Sequence, residues 1–272
     1  MTATLRTELR KITTTRAWWV NAAVMFAYLL VIGAIMAASF VLSIRSEGSA
    51  STGLPGGATL DPESVASSVY TLAVALGYIF PAVLGTLVVT SEFRHRTITP
   101  TLLAEPRRTL VLWGKLLAVI PFAVLVSAAG VLGTVIGGAG TLALMGEPTY
   151  LSDPDMVRTV LMSVVALVVW ALVGVGFGAV LTNQVAAIVV LLVFTQFVEP
   201  LLRILLAQFD ATETLSKFLP GAAGEAIAGS SLYVSSGLAE LLTAWQGVLV
   251  LLGYAVALLA IGRLTTFRRD IG

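Results

Sequence analysis

Charged and reactive side chains are few in this chain, and one stretch, Ser91–Lys115 (SEFRHRTITPTLLAEPRRTLVLWGK), gathers five of its sixteen basic residues, the carboxylates of Glu92 and Glu105, and its one histidine, His95. Such a set could bind phosphate, move protons or hold a metal. A phosphate loop needs Gly-x-x-x-x-Gly-Lys-Ser/Thr, but here Gly114-Lys115 is followed by Leu116 and position 109 is a threonine, so that motif is absent. Cysteine nucleophiles, thiolate metal sites and disulfides are excluded because the chain has no cysteine. Acid–base or metal chemistry inside apolar segments would need facing ionisable residues, which are costly there. Those segments offer Asn21, Thr90, Gln196 and hydroxyls instead. No catalytic, cofactor-binding or metal-binding residue is expected, and His95 reads as a solvated bystander. A second candidate pair is Glu199 and Arg203, in the favourable order for a helical ion pair, with Pro200 between them disturbing the helix that precedes it.

The elements that must position these residues are apolar. Of 272 residues 57% are hydrophobic and 11% charged, and the mean hydropathy of +0.96 lies outside the range of soluble domains. Six segments reach the roughly 20 apolar residues that a bilayer-spanning helix requires: about 17–44, 69–90, 110–140, 158–182, 184–206 and 240–262. The first is about twice the ~7–15 residues of a signal-peptide core and reads as an uncleaved span. The expected fold is an all-α membrane protein of six transmembrane helices. Ahead of them, Leu5, Leu9 and Ile12 share a helix face while Arg6, Glu8, Arg10 and Lys11 point elsewhere, which predicts an interfacial helix over 1–16 with Trp18 and Trp19 as aromatic anchors. Pro81 and Pro121 should kink spans two and three, either as hinges or as static bends. The pairs Gly133/Gly137 and Gly174/Gly178 have the spacing that lets helix backbones approach, within one chain or across a dimer.

Charge sets the orientation. With both termini cytoplasmic, twelve basic residues fall inside and four (Arg45, Arg158, Arg203, Lys217) outside. Residues 91–109 then form a cytoplasmic loop with Phe93, Ile98, Leu102 and Leu103 facing the membrane body and Arg94, His95, Arg96 and Glu105 facing the cytosol. Residues 207–239 are too apolar for a plain loop and too broken for a span; they read as an outer re-entrant or interfacial segment, either a lid over a pathway or a structural plug.

The order of these motifs resembles the permease subunits of ABC-2 type exporters. The resemblance rests on Glu92, on Arg96-Thr97 where glycine is common at the first position, on TITPTLLAEPRR and on Lys115 opening span three. It extends to the basic helix before RAWW, FVEPLL leaving span five and FLPGAAGEAI before span six. It implies a single transmembrane permease domain over 1–272, in the cell membrane, with no enzymatic activity of its own. Two copies of a separate ABC ATPase subunit would bind ATP and Mg2+, and a second permease, identical or related, would complete the pathway in the lipid bilayer; nucleic acid has no part. Residues 91–109 would be a coupling loop whose ATPase contact uses Glu92, Phe93, Arg94, Arg96, Thr97, Leu102 and Glu105. Glu92 would pair with a basic group on the ATPase or on the interfacial helix. Glu199 and Arg203 would be outer gate candidates, and the cargo would be hydrophobic or amphiphilic. Two other readings stand beside this one: an ATP-independent carrier, and a non-transport membrane scaffold or immunity protein.

Overall fold

The computed structural model describes residues 2–46, 62–207, 214–230 and 241–268. Most of the loop Glu47–Ser67, much of the outer segment 207–239, and Arg269 and Asp270 lie outside the described residues. The described residues are mostly helical, with no strand among them, and contain six helical stretches long and apolar enough to cross a membrane, so the chain is a multi-pass helical membrane protein.

The first stretch is α2 (Ala17–Ser46), preceded by the short α1 (Thr2–Thr14). The second divides into α3 (Pro62–Gly77) and α4 (Ile79–Arg94). A short α5 (Ile98–Ala104) leads to α6 (Arg108–Leu144), whose 37 residues extend about 55 Å at 1.5 Å each. Then come α7 (Pro154–Val180), opened by Asp153 capping the Asp155 amide with proline in the first turn, and α8 (Gln184–Val193), opened by Asn183 accepting from the Ala186 amide. α8 continues through a wide turn into α9 (Glu199–Ala207). α10 (Pro220–Ala228) and α11 (Ala244–Leu264) complete the described chain.

The two prolines in spans two and three act differently. Pro81 cannot donate to the Gly77 carbonyl one turn earlier, and the helix breaks there, between α3 and α4. Asn21 of α2 fastens this break by donating to the Phe80 carbonyl at 2.8 Å. Around Pro121, by contrast, α6 runs on uninterrupted. In span five Pro200 removes another donor, and the chain answers with a π turn over Phe194–Val198, where the Glu199 amide donates to the Phe194 carbonyl five residues back.

Spans two, three and four form the inner layer, 56–61% buried, whereas spans one, five and six are 22–28% buried and form the outer one. α6 is the hub, touching α1, α2, α3, α4 and α7, with its longest interface against α2. Small residues make those interfaces close. A Cβ added at Gly133 would lie 2.5 Å from the Phe26 carbonyl oxygen, and one at Gly178 would lie 2.7 Å from that of Thr86. Gly137 and Gly174 press equally hard on Leu30 and Ala82. Both glycine pairs therefore pack within the chain, α6 on α2 and α7 on α4.

Three expectations about individual residues need correction. On α1, Leu5, Leu9 and Ile12 do turn towards the core, but Glu8 is buried with them and Lys11 is drawn to the same side. The reason is a partner inside the bundle, described below. Trp18 is tucked against Phe122, ring centroids 5.6 Å apart, and Trp19 alone of the two faces outward. Leu103 faces away from the body and is 78% exposed, because the seven-residue α5 has only enough inward surface for Ile98 and Leu102.

Gly137→Ala is expected to lower stability by about 1–3 kcal/mol through overpacking against α2. Gly140, in the same helix, has open space around its Cα, so Gly140→Ala should be neutral or stabilising. Thermal unfolding of the two purified variants checks the contrast.

Candidate functional site

The largest concentration of buried charge lies where α1 crosses the start of α6. Glu8 and Lys11 are one turn apart on α1, Glu92 occupies the last turn of α4, and Lys115 the second turn of α6. The four form a closed ring of alternating sign. Lys11 Nζ lies 2.6 Å from both Glu8 Oε1 and Glu92 Oε1; Lys115 Nζ lies 2.8 Å from Glu8 Oε2 and 2.7 Å from Glu92 Oε1. An ammonium has three protons to donate, and Lys11 places all three. Lys11 gives its third to Thr101 Oγ1 of α5 at 3.2 Å, and Lys115, besides its bond to Glu8, donates to the Val88 carbonyl of α4 at 3.2 Å. Lys115 is fully buried, Glu8 and Glu92 nearly so, and Lys11 sits at the rim. Burial pulls the Lys11 ammonium towards deprotonation, but its hydrogen bonds and charge interactions with Glu8 and Glu92 outweigh this and hold it above its ordinary range.

One cluster thus ties four elements together, and its geometry explains why α1 lies flat on the bundle. Gly114 lets it approach: a Cβ there would meet Thr4 Cγ2 at 3.1 Å. Glu92 pairs with the N-terminal helix and with Lys115 at once. Its second carboxylate oxygen, Oε2, is buried without a hydrogen-bond partner among the described residues. Glu8, Lys11 and Lys115 were not singled out as site residues from sequence. The available signal was a Glu-x-x-Lys pair on the helix otherwise anchored by Leu5, Leu9 and Ile12.

The turn after Glu92 is equally specific. The Thr97 amide donates to the Glu92 carbonyl at 2.8 Å and the Arg96 amide to Phe93 at 3.3 Å, the two bonds of a Schellman helix end. That motif puts the residue before Thr97 in the left-handed region, and Arg96 has φ of +57°. Position 96 is thus a glycine-type position occupied by arginine. Of the other candidate residues, Phe93 stacks edge-on against Phe267 at 5.8 Å and Leu102 packs on the core. Arg94 is exposed and donates to Gln184 of α8 at 3.2 Å. Thr97 is exposed, and Glu105 is chelated by Arg107 through bonds of 3.0 and 3.3 Å, which hold its carboxyl below the usual range. Glu92, Phe93 and Leu102 therefore brace the loop from behind, while Arg94, Arg96, Thr97 and Leu103 form its free face.

A second charged cluster lies deeper in the bundle. Arg203 reaches Glu199 Oε1 through Nη2 at 2.8 Å and Glu225 Oε2 of α10 through Nη1 at 2.9 Å. Glu199 Oε1 also accepts the amides of Gly221 (2.6 Å) and Ala222 (3.2 Å), so it caps α10 at its positive end. Gly221 is required there, since a Cβ would fall 2.5 Å from both Glu199 Oε1 and Arg203 Nη2. α10 is buried along almost its whole length and touches Trp170 at Gly224. Trp170 stacks on Tyr78 at 4.5 Å, and Tyr78 Oη accepts from Gln196 at 2.8 Å. Both aromatic residues lie well inside their spans, so α10 is inserted among the spans. Glu225 was missed in the sequence reading because a lone glutamate in an alanine-glycine stretch has no pattern of its own.

Among the described residues no three His, Asp or Glu side chains converge as metal ligands would. No family model and no curated protein sequence matches the chain.

Lys115→Met removes one cation from the buried ring and leaves Glu8 and Glu92 short of charge; the expected loss is about 3–5 kcal/mol, read from thermal unfolding and from release of α1 to protease. Arg96→Gly relieves a left-handed non-glycine residue worth roughly 1 kcal/mol, so the variant should unfold at a higher temperature than the parent, whereas Arg94→Gly in the helix should unfold lower.

Proposed function

We propose that this chain is the membrane-spanning permease subunit of an ATP-driven exporter of the ABC-2 type, placed in the cell membrane with both termini cytoplasmic. The observation that carries the reading is the Glu8–Lys11–Glu92–Lys115 ring. It joins α1, the end of span two, the short α5 and the start of span three into one mechanical unit on the end of the bundle where the basic residues concentrate. In this reading α1 is the interfacial helix and α5 the coupling helix. A separate ATPase dimer presses on α5 through Arg94, Arg96, Thr97 and Leu103, and the ring passes the displacement to spans two and three without a flexible joint. The Pro81 break, one helix further in, is where span two would bend. A second permease copy completes the pathway, and the cargo is hydrophobic or amphiphilic. Glu199 and Arg203 belong to the plug that α10 forms towards the other side. ATP shifts the conformational equilibrium only through the difference in how the ATPase pair grips the two states.

A second reading, an ATP-independent carrier, rests on a different observation. Two carboxylates and one guanidinium are buried beside Tyr78 and Trp170, and ionisable residues at that depth are the usual coupling sites of carriers.

Arg94→Glu combined with Leu103→Asp alters the free face of the loop and spares the ring. The exporter reading expects loss of ATPase copurification and of ATP-dependent export, with thermal stability lowered only by the loss of the exposed Arg94–Gln184 bond, about 1 kcal/mol. Substrate movement by the purified chain in vesicles with no ATPase present would decide for the carrier.

A further inference from the structure

α6 carries the chain from the buried ring to the opposite end of the bundle, where α7 begins. Between that first part of α7, the end of α10 and the start of α11 lies a cleft of about 480 Å3, the size of a small-molecule site. On α7 its wall is Asp155, Arg158, Thr159 and Met162, the i, i+3, i+4, i+7 spacing of one helix face, and it runs about 10 Å inward. The wall changes character along that length. Asp155 and Arg158 are exposed at the mouth, whereas Met162 is half-buried and shares the inner part with Ile227 of α10 and Leu241 ahead of α11.

Polar groups of both signs face this cleft without a partner among the described residues. The Asp155 amide donates to Asp153 Oδ1 at 2.8 Å, but the Asp155 carboxylate meets no donor, and Arg158, one turn further on, meets no acceptor. The end of α10 adds acceptors, since the last carbonyls of a helix point beyond it. That of Glu225 takes the Gly229 amide at 3.0 Å, while those of Ala226, Ile227 and Ala228 accept nothing from the described residues. The start of α11 is satisfied by contrast, for Thr243 and Gln246 form a reciprocal capping box. Trp245, next to the cleft wall and 62% exposed, stands where amphipathic rings settle at a membrane–water boundary.

We propose that this cleft binds one phospholipid of the ethanolamine class, with its phosphate on Arg158, its ammonium between Asp155 and the end of α10, and the root of its acyl chains along Met162, Ile227 and Leu241. Each wall selects one part of the ligand. A guanidinium presents a planar fork of donors that matches a phosphate. The carboxylate and the negative pole of α10 call for a cation, and the three carbonyls call for one that carries N–H groups. A primary ammonium has three such donors; a trimethylated one has none. Residues three apart on a helix stand about 5–6 Å from each other, so the two-carbon link of ethanolamine reaches both Arg158 and Asp155. Their charges cancel, which favours a zwitterionic headgroup over an anionic one. The apolar inner part selects a membrane lipid over its water-soluble headgroup. Nothing in this site depends on the exporter reading.

The test uses the full chain in detergent, titrated with phosphatidylethanolamine, phosphatidylcholine or phosphatidylglycerol, with bound lipid counted by native mass spectrometry. One phosphatidylethanolamine should be retained about tenfold more tightly than phosphatidylcholine, the effect of one charge-assisted hydrogen bond. Arg158→Gln should weaken that retention about fivefold, the effect of one interfacial arginine, and Asp155→Asn should narrow the margin over phosphatidylcholine. Arg16→Gln, exposed at the other end of the bundle, should change nothing. Retention of phosphatidylcholine or phosphatidylglycerol as strong as that of phosphatidylethanolamine, or undiminished phosphatidylethanolamine binding by Arg158→Gln, would overturn the proposal. So would an unchanged margin in Asp155→Asn, or competition by glycerophosphoethanolamine as strong as that of the intact lipid. Should either variant fail to fold, the lipid comparison and the competition on the parent protein still decide.

Discussion

A charge withdrawn from water must find its counter-charge inside the protein, and the arrangement at the start of α6 follows from that constraint. Lys115 is covered completely by α1, α4 and α6, where a lone ammonium would be untenable. Glu92 alone would neutralise it but would leave α1 held only by the apolar contacts of Leu5, Leu9 and Ile12. With Glu8 and Lys11 added, the sum of formal charges stays at zero and the second pair comes from a different helix, so the ring closes only when α1 is docked. Such a ring adds little net stability over an apolar packing of the same volume, yet it tolerates no missing member. It specifies one placement of α1 more than it strengthens the fold. Thr101 brings α5 into the same arrangement through Lys11, so a loop whose middle rests on the core through Ile98 and Leu102 gains a polar tie as well.

The rest of the bundle is built by closeness of backbone. Where glycine faces a carbonyl, as at Gly133 on Phe26 and Gly178 on Thr86, the helices meet with no side chain between them, and dispersion over that contact replaces the hydrophobic drive that lipid cannot supply. The irregular places lie next to the polar ones. The break before Pro81 adjoins Tyr78, which receives Gln196 from the π turn ahead of Pro200, and that turn delivers Glu199 to α10. Pro81 and Pro200 each remove a backbone donor, and the deeper cluster lies beside both irregular places. In the proposed exporter, one polar assembly would face the energy source and the other would close the far side; in a carrier the deeper one would do the coupling.

Much of this architecture was legible in the order of residues. Six apolar stretches, the amphipathic α1, the helix-packing role of two glycine pairs and the disturbance around Pro200 follow from composition and periodicity, which depend on neighbours in the chain. Long-range pairing was not legible. Glu8 sits on α1 among residues that read as a polar face, and nothing local reveals that Lys115, over a hundred residues away, draws it inward. Leu103 read as inward-facing because its type is apolar, while the short α5 had room for only two such side chains. Arg96 read as a departure from a glycine position, and its left-handed backbone shows that the turn is made regardless.

By itself the sequence determined the class of solvent, since so long a set of apolar stretches cannot be buried in a single water-soluble core. It determined the helices too, because a backbone in lipid must satisfy its hydrogen bonds within its own segment. Only the tertiary structure decided which of the scattered charges are structural. An ion pair is a statement about distance in space, and Glu92, Glu199 and Glu225 acquire their roles from Lys115, Lys11 and Arg203 arriving within 3 Å of them.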